Sequence, residues 1–370
     1  YAPVYELTQN NFIQENTIDL GESAYPTVFD YNNDGLLDLV VGNYGYYQSN
    51  GNYTSSLALF ENTGTIENPA YNLVNRDFAQ LSSIPLNTIL DQPTNGLIPT
   101  FGDLDNDGDK DLIVGDVNGM IHYFKNTANG EDIASFELEN VNYFDIDIGN
   151  RAAPVLFDIN NDYLLDLLIG ERDGTLNYIP NTGDANNPNF TILNENFGNI
   201  NTTTEQGQIG NATPYCYIDN NELKLIIGSE SGHIYIYNNI TNNLEGSFSL
   251  TNIINLIEGK RTSPCYLDMN NDDKKDLIIG NIGGGLAFYQ GTEESLHTEK
   301  LTQNTEIYPN PSTSNIHVKS NYIGSLSVYG MLGQEVYYTQ KKEQNITTQR
   351  RNMKIHKKTA MIFKNINNTT

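Results

Sequence analysis

The chain contains no tryptophan and only two cysteines among its 370 residues, and its basic side chains are few. Two cysteines are too few for a disulfide framework or a zinc knuckle. Only 20 lysine and arginine residues accompany 46 aspartate and glutamate residues, giving a formal net charge of −26. Such a polyanion repels phosphates, which argues against nucleic acid as a partner. The sequence has no run of about 18 apolar residues, so it predicts no transmembrane segment.

Tyrosine, phenylalanine and glycine are abundant instead, with 24, 14 and 31 copies, and they favour strands and turns. The charge changes sign along the chain. Residues 1–300 contain 43 acidic and 11 basic residues, whereas residues 301–370 contain 3 acidic and 9 basic residues. Such a shift indicates a domain boundary. We therefore predict a repeat domain over residues 1–291, a polar linker over 292–304 and a C-terminal domain over 305–370.

One pattern occurs five times in the repeat domain: a proline, a short apolar segment, a loop rich in Asp and Asn, and a second apolar segment ending in glycine. The copies begin at Pro26, Pro99, Pro154, Pro214 and Pro264. A third apolar strand follows each copy, and a fourth follows most of them, marked by two aromatic residues seven positions apart. Four short strands per repeat predict an all-β fold, a β-propeller of four-stranded blades. A β-sandwich is the alternative, but a sandwich does not require one loop to recur.

The N-terminal segment Val4–Phe12 has the same aromatic spacing, through Tyr5 and Phe12. The last repeat shows its inner strands but no obvious fourth strand. Val4–Phe12 could therefore complete the last blade and close a five-bladed ring. Alternatively, the chain is a piece of a larger propeller.

The loops of four repeats place oxygen-bearing side chains at loop positions 1, 3, 5 and 9. Alternate positions in a tight loop point inward, and calcium takes six to eight oxygen ligands. The pattern therefore predicts calcium as the cofactor. The predicted ligands are Asp30, Asn32, Asp34 and Asp38 in the first repeat, Asp103, Asp105, Asp107 and Asp111 in the second, Asp158, Asn160, Asp162 and Asp166 in the third, and Asp268, Asn270, Asp272 and Asp276 in the fifth.

These loops are not EF-hands, because position 12 is an apolar strand residue rather than a bidentate glutamate. Asp, Asn and Gly also form turns without any metal, but one register recurring in four loops favours calcium. At positions 1, 3, 5 and 9 the second loop has four carboxylates, against three in each of the other loops, so the charge of the predicted ligands ranks it as the tightest site. The loop of the fourth repeat, Asp219–Glu222, is too short, and we predict no metal there.

The repeats resemble the FG-GAP repeats of integrin-type propellers and their bacterial relatives. The proline, the D-x-[DN]-x-D-G-x-x-D loop and the D-L-[IV]-[IV]-G strand carry the resemblance, and Phe101-Gly102 keeps part of the motif. It implies calcium in blade loops gathered on one face of the propeller. Tyr163 and Asp273 depart from the pattern, because they replace the loop glycine. The resemblance does not identify a ligand, since the family includes adhesins, lectin-like modules and enzyme appendages.

The C-terminal domain has a second signature: Ile307-Tyr-Pro-Asn-Pro311, followed by Val328-Tyr-Gly-Met-Leu-Gly-Gln-Glu-Val336. It resembles the C-terminal sorting domain of type IX secretion cargo in Bacteroidetes. The resemblance implies a small β-sandwich-like domain, recognition by the outer-membrane secretion machinery, and a secreted or surface-attached protein. After Gln344 the sequence becomes basic, and we expect the resemblance to end there. This basic tail is either a degenerate gene end or a genuine contact for an anionic surface.

No G-x-S-x-G elbow, H-E-x-x-H motif or phosphate loop is present, so no catalytic residue is predicted and the chain is not expected to be an enzyme. Cys216 and Cys265 are expected to be small buried residues. The interpretation that fits best is a secreted calcium-binding propeller that acts as a binding or adhesion module for a glycan or protein ligand. The alternative is a polysaccharide-active enzyme, a lyase or a glycosidase, or the non-catalytic appendage of one.

Overall fold

The computed structural model of the protein describes residues 18–87, 93–128, 132–204, 209–255 and 259–291 with their side chains, and beyond residue 291 the backbone of six strands. The chain divides into two compact units, Tyr1–Ser295 and Leu296–Thr370. The predicted linker, residues 292–304, and the predicted outer strand Val4–Phe12 lie outside the described residues.

The first unit is a β-propeller of five blades, as the repeats predicted, and the strands within each blade are antiparallel. Blade 1 contains β1 (Tyr25–Phe29), β2 (Asp38–Gly42), β5 (Leu57–Asn62) and β6 (Tyr71–Asn75), with the hairpin β3 (Tyr46–Tyr47) and β4 (Tyr53–Thr54) inserted after β2. Blade 2 contains β7 (Ile98–Gly102), β8 (Asp111–Gly115), β9 (Ile121–Asn126) and β10 (Phe136–Asn140). Blade 3 contains β11 (Ala153–Phe157), β12 (Asp166–Gly170) and β13 (Leu176–Ile179). Blade 4 contains β14 (Thr213–Asp219), β15 (Glu222–Gly228), β16 (His233–Asn238) and β17 (Ser249–Asn255). Blade 5 contains β18 (Ser263–Leu267), β19 (Asp276–Gly280) and β20 (Leu286–Tyr289).

The expectation of a fourth strand is wrong for blade 3. In the described residues, its outer position is marked only by an isolated bridge between Tyr178 and Asn194. Phe190, which was expected to lie on that strand, is 1% exposed, and its ring lies 6.0 Å from that of Tyr143 in blade 2. The segment therefore fills the space between two blades instead of pairing along the edge of its own.

The aromatic pairs seven positions apart have a structural explanation. The second aromatic residue of each pair begins a short 3-10 helix: η1 (Phe78–Ser83), η2 (Tyr143–Asp145) or η3 (Phe197–Asn199). All three of these aromatic side chains are buried. The turn returns the ring to the core between blades, where Phe78 meets Phe136 of blade 2 and Phe197 meets Phe248 of blade 4. The spacing thus marks an outer segment followed by a turn back into the core.

The five blades close the ring among themselves. The first strands contact each other in a cycle, from β1 through β7, β11, β14 and β18 back to β1. At each junction the glycine ending a second strand lies against the backbone entering the next blade. A Cβ atom on Gly280 would lie 2.0 Å from the carbonyl oxygen of Ala24, just as one on Gly42 would lie 2.1 Å from that of Leu97. Only glycine permits this approach, which explains why every repeat ends in glycine.

The described backbone of the second unit forms two three-stranded sheets. One contains β21 (Glu306–Tyr308), β22 (Asn315–Lys319) and β25 (Asn345–Gln349), and the other β23 (Gly324–Tyr329), β24 (Glu335–Lys341) and β26 (Ile362–Ile366). Two of these strands lie beyond Gln344, where the resemblance was expected to end. Among the described residues of the chain, no helix is long and apolar enough to cross a membrane.

Candidate metal centres

The four Asp-rich loops join the first and second strands of blades 1, 2, 3 and 5, so all of them lie at one end of the propeller, which we call the loop face. The glycine junctions lie at the opposite end, the joint face. The register places equivalent loop residues at equivalent points: Phe29 pairs with Asp38, and Leu267 pairs with Asp276. The sequence pattern thus becomes four copies of one local geometry.

The aspartate at position 9 connects the loop to the third strand. Asp111 accepts hydrogen bonds from the backbone N–H of Asn126 at 2.8 Å and of Leu104 at 3.2 Å, and from the Tyr123 hydroxyl at 3.2 Å. Asp38, Asp166 and Asp276 accept the equivalent pairs of backbone bonds. Each of these carboxylates is fully buried. Burial raises the pKa of Asp38 and of Asp111 to about 6, against the hydrogen bonds that lower it.

The aspartates at positions 1 and 5 hold the loop backbone in a tight curl. In blade 3, Asp158 accepts from the backbone N–H of Asp162 at 3.0 Å and of Tyr163 at 2.9 Å, and Asp162 accepts from that of Leu164 at 2.9 Å. The first and fifth blades repeat this set. The Asn at position 3 donates its side-chain amide to the position 5 carboxylate in each of these three blades. The side chains at positions 1, 3 and 5 therefore converge in these three loops.

Two further loop positions, which the sequence analysis did not explain, have left-handed backbone. Position 4 is asparagine in all four loops, with φ between 54° and 64°. Position 6 is glycine in blades 1 and 2, but it is Tyr163 in blade 3 and Asp273 in blade 5, with φ of 70° and 64°. Asparagine and glycine tolerate this conformation, whereas tyrosine is strained in it. The recurrent asparagine was the signal that could have revealed the geometry.

Blade 2 brings three carboxylates closest together. One oxygen from each of Asp103, Asp105 and Asp107 lies within 4.8 Å of the others. The Oδ1 atoms of Asp103 and Asp105 are buried and have no hydrogen-bond partner, and Asn270 Oδ1 in the blade 5 loop is in the same state. Buried oxygens without partners are costly unless a donor or a cation meets them. These residues fit a hard cation bound by oxygen ligands.

Lys125 is the residue that sequence reasoning missed at this centre. Its ammonium group hydrogen-bonds Asp105 Oδ2 and lies 3.6 Å from Asp107 Oδ2. The sequence signal was present, because Lys125 directly precedes Asn126, whose backbone N–H donates to the position 9 carboxylate. A cationic side chain of the third strand therefore lies at the carboxylates of the most acidic loop.

The fourth repeat has a tight turn in place of the loop. β14 and β15 are joined at Asn220 and Asn221, both with positive φ, and Asp219 pairs directly with Glu222. Two residues with positive φ form the usual two-residue hairpin connection. The side chain of Lys224 hydrogen-bonds Asp219 Oδ2. The Asp219 carboxylate is thus paired with an ammonium group on its own hairpin.

The joint face has its own cluster of polar and aromatic side chains. Tyr53 meets Tyr44 and Tyr47 at ring-centroid distances of 5.1 and 5.4 Å, and Tyr47 is 70% exposed. Arg261 lies beside this cluster, just before blade 5, and contacts both neighbouring blades. Its Nε lies 3.2 Å from Glu230 of blade 4, and its Nη1 lies 3.8 Å from Glu22, just before blade 1. This surface combines exposed aromatic rings with paired charges.

Two further titratable groups are internal. His122 is fully buried in β9, with Nε2 3.5 Å from Asp116 Oδ2. Burial pushes the Asp116 pKa upward, but His122 and the backbone N–H of Met120 outweigh it and lower that pKa. Cys216 and Cys265 are free and buried, as predicted, and burial raises the pKa of both thiols, to about 12 for Cys265.

Comparison with known families agrees with both resemblances. A profile described as an FG-GAP-like repeat matches residues 30–114 and 103–169, which extend from the Asp-rich loop of blade 1 to the second strand of blade 3. A profile described as a secretion system C-terminal sorting domain matches residues 306–359. The match extends past Gln344, so the expectation that the resemblance ends there is wrong. The β-branched residues of β25, Asn345–Gln349, explain why the sheet continues.

No curated protein matches this chain in sequence. Among solved structures, an engineered GH43 glycoside hydrolase with endo-xylanase and exo-arabinofuranosidase activity is 9% identical, with a TM-score of 0.45 over 84% of this chain and 71% of that chain. PorZ, a surface component of the type-IX secretion system of Porphyromonas gingivalis, is 11% identical, with a TM-score of 0.30 over 92% of this chain and 59% of its own. BBS1N, solved in complex with ARL6DN, is 13% identical, with a TM-score of 0.26 over 66% of this chain and 67% of its own.

Proposed function

Because the chain carries FG-GAP-like repeats and a type IX secretion sorting domain, we propose that it is a calcium-binding β-propeller that acts as a binding module outside the cell. The sorting domain directs the protein to the secretion machinery and to the cell surface. The calcium and the ligand are the proposed parts of this function. The observation that carries the calcium proposal is one loop geometry in four blades, with position 1, 3 and 5 side chains converging in each.

Calcium would be held by the carboxylates at positions 1 and 5, the oxygen at position 3 and a backbone carbonyl, with the position 9 aspartate closing the set. When bound, the ion supplies positive charge among carboxylates that otherwise repel each other. The unpartnered oxygens of Asp103, Asp105 and Asn270 support this role. The backbone hydrogen bonds to Asp30 and its equivalents orient the ligands before any ion arrives.

Thermal unfolding in excess chelator and in millimolar calcium tests the structural metal. An ion that binds only the folded state stabilises it by about 2.7 kcal/mol per site at a hundredfold excess over its dissociation constant. We therefore expect a clear rise in melting temperature with calcium. An Asp162→Ala variant should lose part of this rise, and Asp219→Ala in the blade 4 hairpin is the matched control that should keep all of it. Equal melting temperatures in chelator and calcium would contradict the proposal.

For the ligand, we propose a glycan bound at the joint face around Tyr44, Tyr47 and Tyr53. Tyrosine offers an apolar ring and a hydroxyl, which suit the carbon-bound hydrogens and hydroxyls of a sugar. Binding of the wild-type protein to a glycan array, compared with Tyr47→Ala, tests this surface. Tyr163→Ala, at the exposed tyrosine of the loop face, is the matched control. Loss of binding in the Tyr163 variant alone would place the ligand on the loop face, and binding only to protein partners would favour an adhesion role.

The enzymatic alternative is a polysaccharide lyase or glycosidase, or its non-catalytic appendage. Two carboxylates on one face can act as an acid and base pair in glycoside hydrolysis. Glu22 and Glu230 both contact Arg261 at the joint face and are the pair to test. Incubation with acidic polysaccharides, followed by ultraviolet absorbance for unsaturated product and by a reducing-sugar assay, distinguishes the classes. Turnover that is lost in Glu230→Gln would replace the binding-module proposal.

A further inference from the structure

The carboxylates of the blade 2 loop have a positively charged side chain beside them in the absence of any metal ion. Lys125 Nζ hydrogen-bonds Asp105 Oδ2 and lies 3.6 Å from Asp107 Oδ2. The contact is partly sheltered, because the Asp105 side chain is 20% exposed and that of Lys125 is 37% exposed. An ion pair sheltered from solvent is screened less than a fully exposed one.

The other calcium loops have no ammonium at the equivalent position. The register of the second and third strands pairs Leu112 with Phe124, so Lys125 follows the paired residue. By the same register the equivalents of Lys125 are Glu61 in blade 1, Pro180 in blade 3 and Gln290 in blade 5. A ranking of the sites by the number of carboxylates among the predicted ligands therefore misjudges two blades. In blade 2 the ammonium offsets one of the four ligand charges, and in blade 1 Glu61 adds a negative charge.

We propose that Lys125 is an internal competitor of the cation in blade 2, so that the loop with the most carboxylates binds calcium less tightly than the loop of blade 1. This inference rests on the proposed calcium function. When no ion is bound, the ammonium group partly neutralises the carboxylates of Asp105 and Asp107. Calcium must displace the ammonium group in order to bind. The blade 2 carboxylates are consequently neutralised at low calcium concentrations, at which the carboxylates within each of the other loops still repel each other.

The site keeps its capacity for an ion once the ammonium moves away. The Oδ1 atoms of Asp103 and Asp105 have no partner even in the presence of Lys125. Glu137 is the directly paired cross-strand neighbour of Lys125, and opposite charges at such positions interact favourably. Glu137 therefore offers the displaced ammonium an alternative partner, and binding is an exchange of one ion pair for another.

A site-resolved calcium titration tests the exchange. The amides of Gly108 in blade 2 and Gly35 in blade 1 donate to the position 1 aspartates, so their resonances in 15N-glycine-labelled protein report each loop separately. In Lys125→Gln we expect the Gly108 midpoint to fall to about one-tenth of its wild-type calcium concentration, as removal of a nearby like charge demands. The Gly35 midpoint should not change.

Lys110→Gln is the matched control. Lys110 lies at position 8 of the blade 2 loop and is exposed, so the substitution removes the same charge close to the same loop. A reciprocal variant, Gln290→Lys, should weaken the blade 5 site, followed through the amide of Gly291, whose N–H donates to Asp276 at 2.7 Å. Equal Gly108 midpoints in Lys125→Gln and Lys110→Gln would overturn the inference while leaving calcium binding intact.

If neither Gly35 nor Gly108 responds to calcium, the proposed function fails, and a second measurement decides the role of Lys125. In chelator, Lys125→Gln should melt at a lower temperature than Lys110→Gln, because three carboxylates within 4.8 Å are then uncompensated. Equal melting temperatures in chelator would show that the ammonium does not neutralise the loop, and would overturn the inference independently of calcium.

Discussion

The guanidinium of Arg151 donates from Nη2 to the Thr213 hydroxyl at 2.9 Å, and its central carbon lies 5.3 Å from the ring centroid of Tyr25. Arg151 lies just before the first strand of blade 3, Thr213 is the first residue of β14 in blade 4, and Tyr25 is the first residue of β1 in blade 1. Blades 1 and 3 are not neighbours in the ring, so this side chain reaches across the propeller axis. Among the described residues, no carboxylate lies within 4.0 Å of its nitrogens. Arg151 therefore joins three blades through a stacked ring, a hydroxyl and the carbonyl of Ala212.

We expect Arg151→Lys to destabilise the propeller more than Arg151→Met. An ammonium retains the buried charge but cannot span two acceptors and stack on a ring, whereas methionine removes the charge. The loss for lysine should be about 2 kcal/mol of unfolding free energy, as for a broken charged hydrogen bond. Chemical denaturation measures it, and Arg172→Lys, at an exposed arginine of blade 3, is the control. A methionine variant less stable than the lysine variant would contradict this account.

Asp111 and Asp107 belong to the same loop but should respond differently to substitution by asparagine. Asp111 accepts three hydrogen bonds in the core, so the Asp111→Asn substitution would turn an amide N–H₂ group toward a donor. This change should cost about 1–3 kcal/mol of unfolding free energy even in chelator. Asp107→Asn should lose mainly the stabilisation that calcium provides, because the asparagine oxygen can still accept the backbone N–H of Asp109. Denaturation of both variants with and without calcium separates a carboxylate that also supports the folded loop when no ion is bound from one that acts mainly as a ligand. Equal losses of stability in chelator would refute the distinction.

Tyr163→Gly should stabilise the blade 3 loop. Tyr163 has φ of 70° and is 89% exposed, so it has left-handed strain with little burial to offset it. Relief of this conformation is worth about 1 kcal/mol, less the extra chain entropy of glycine. Tyr163→Ala keeps a Cβ and should give no such gain. Melting temperatures in chelator compare the two, and an alanine variant as stable as the glycine variant would show that the strain is absent.

The propeller should fold without the sorting domain. The two compact units divide at Ser295, and Gly291 still supplies its hydrogen bond to Asp276 in a chain ending there. We expect a 1–295 chain to keep the melting transition of the full protein. Residues 305–370 fused to a reporter should carry it out of a host that has the type IX system. Retention of the reporter inside that host would count against an autonomous sorting signal.

The sequence alone was sufficient to predict the local features of this protein. The loop pattern depends on residues within nine positions of each other, and the recurrence of proline and glycine marks where blades begin and end. Backbone sterics and short-range hydrogen bonds act over that distance, which is why the convergence of Asp30, Asn32 and Asp34 could be predicted. The Tyr-Pro-Asn-Pro signature likewise sufficed to assign the sorting domain.

Only the tertiary structure decided the relationships between segments far apart in the chain. Ring closure depends on Gly280 meeting Ala24, 256 positions away, and no local pattern encodes how many blades complete a circle. Lys125 reaches Asp105 because β9 lies beside β8 in a particular register, and Arg151 reaches Tyr25 because two blades face each other across the axis. Such contacts depend on strand register and on the packing of whole blades, because these bring together side chains that are far apart in the linear sequence.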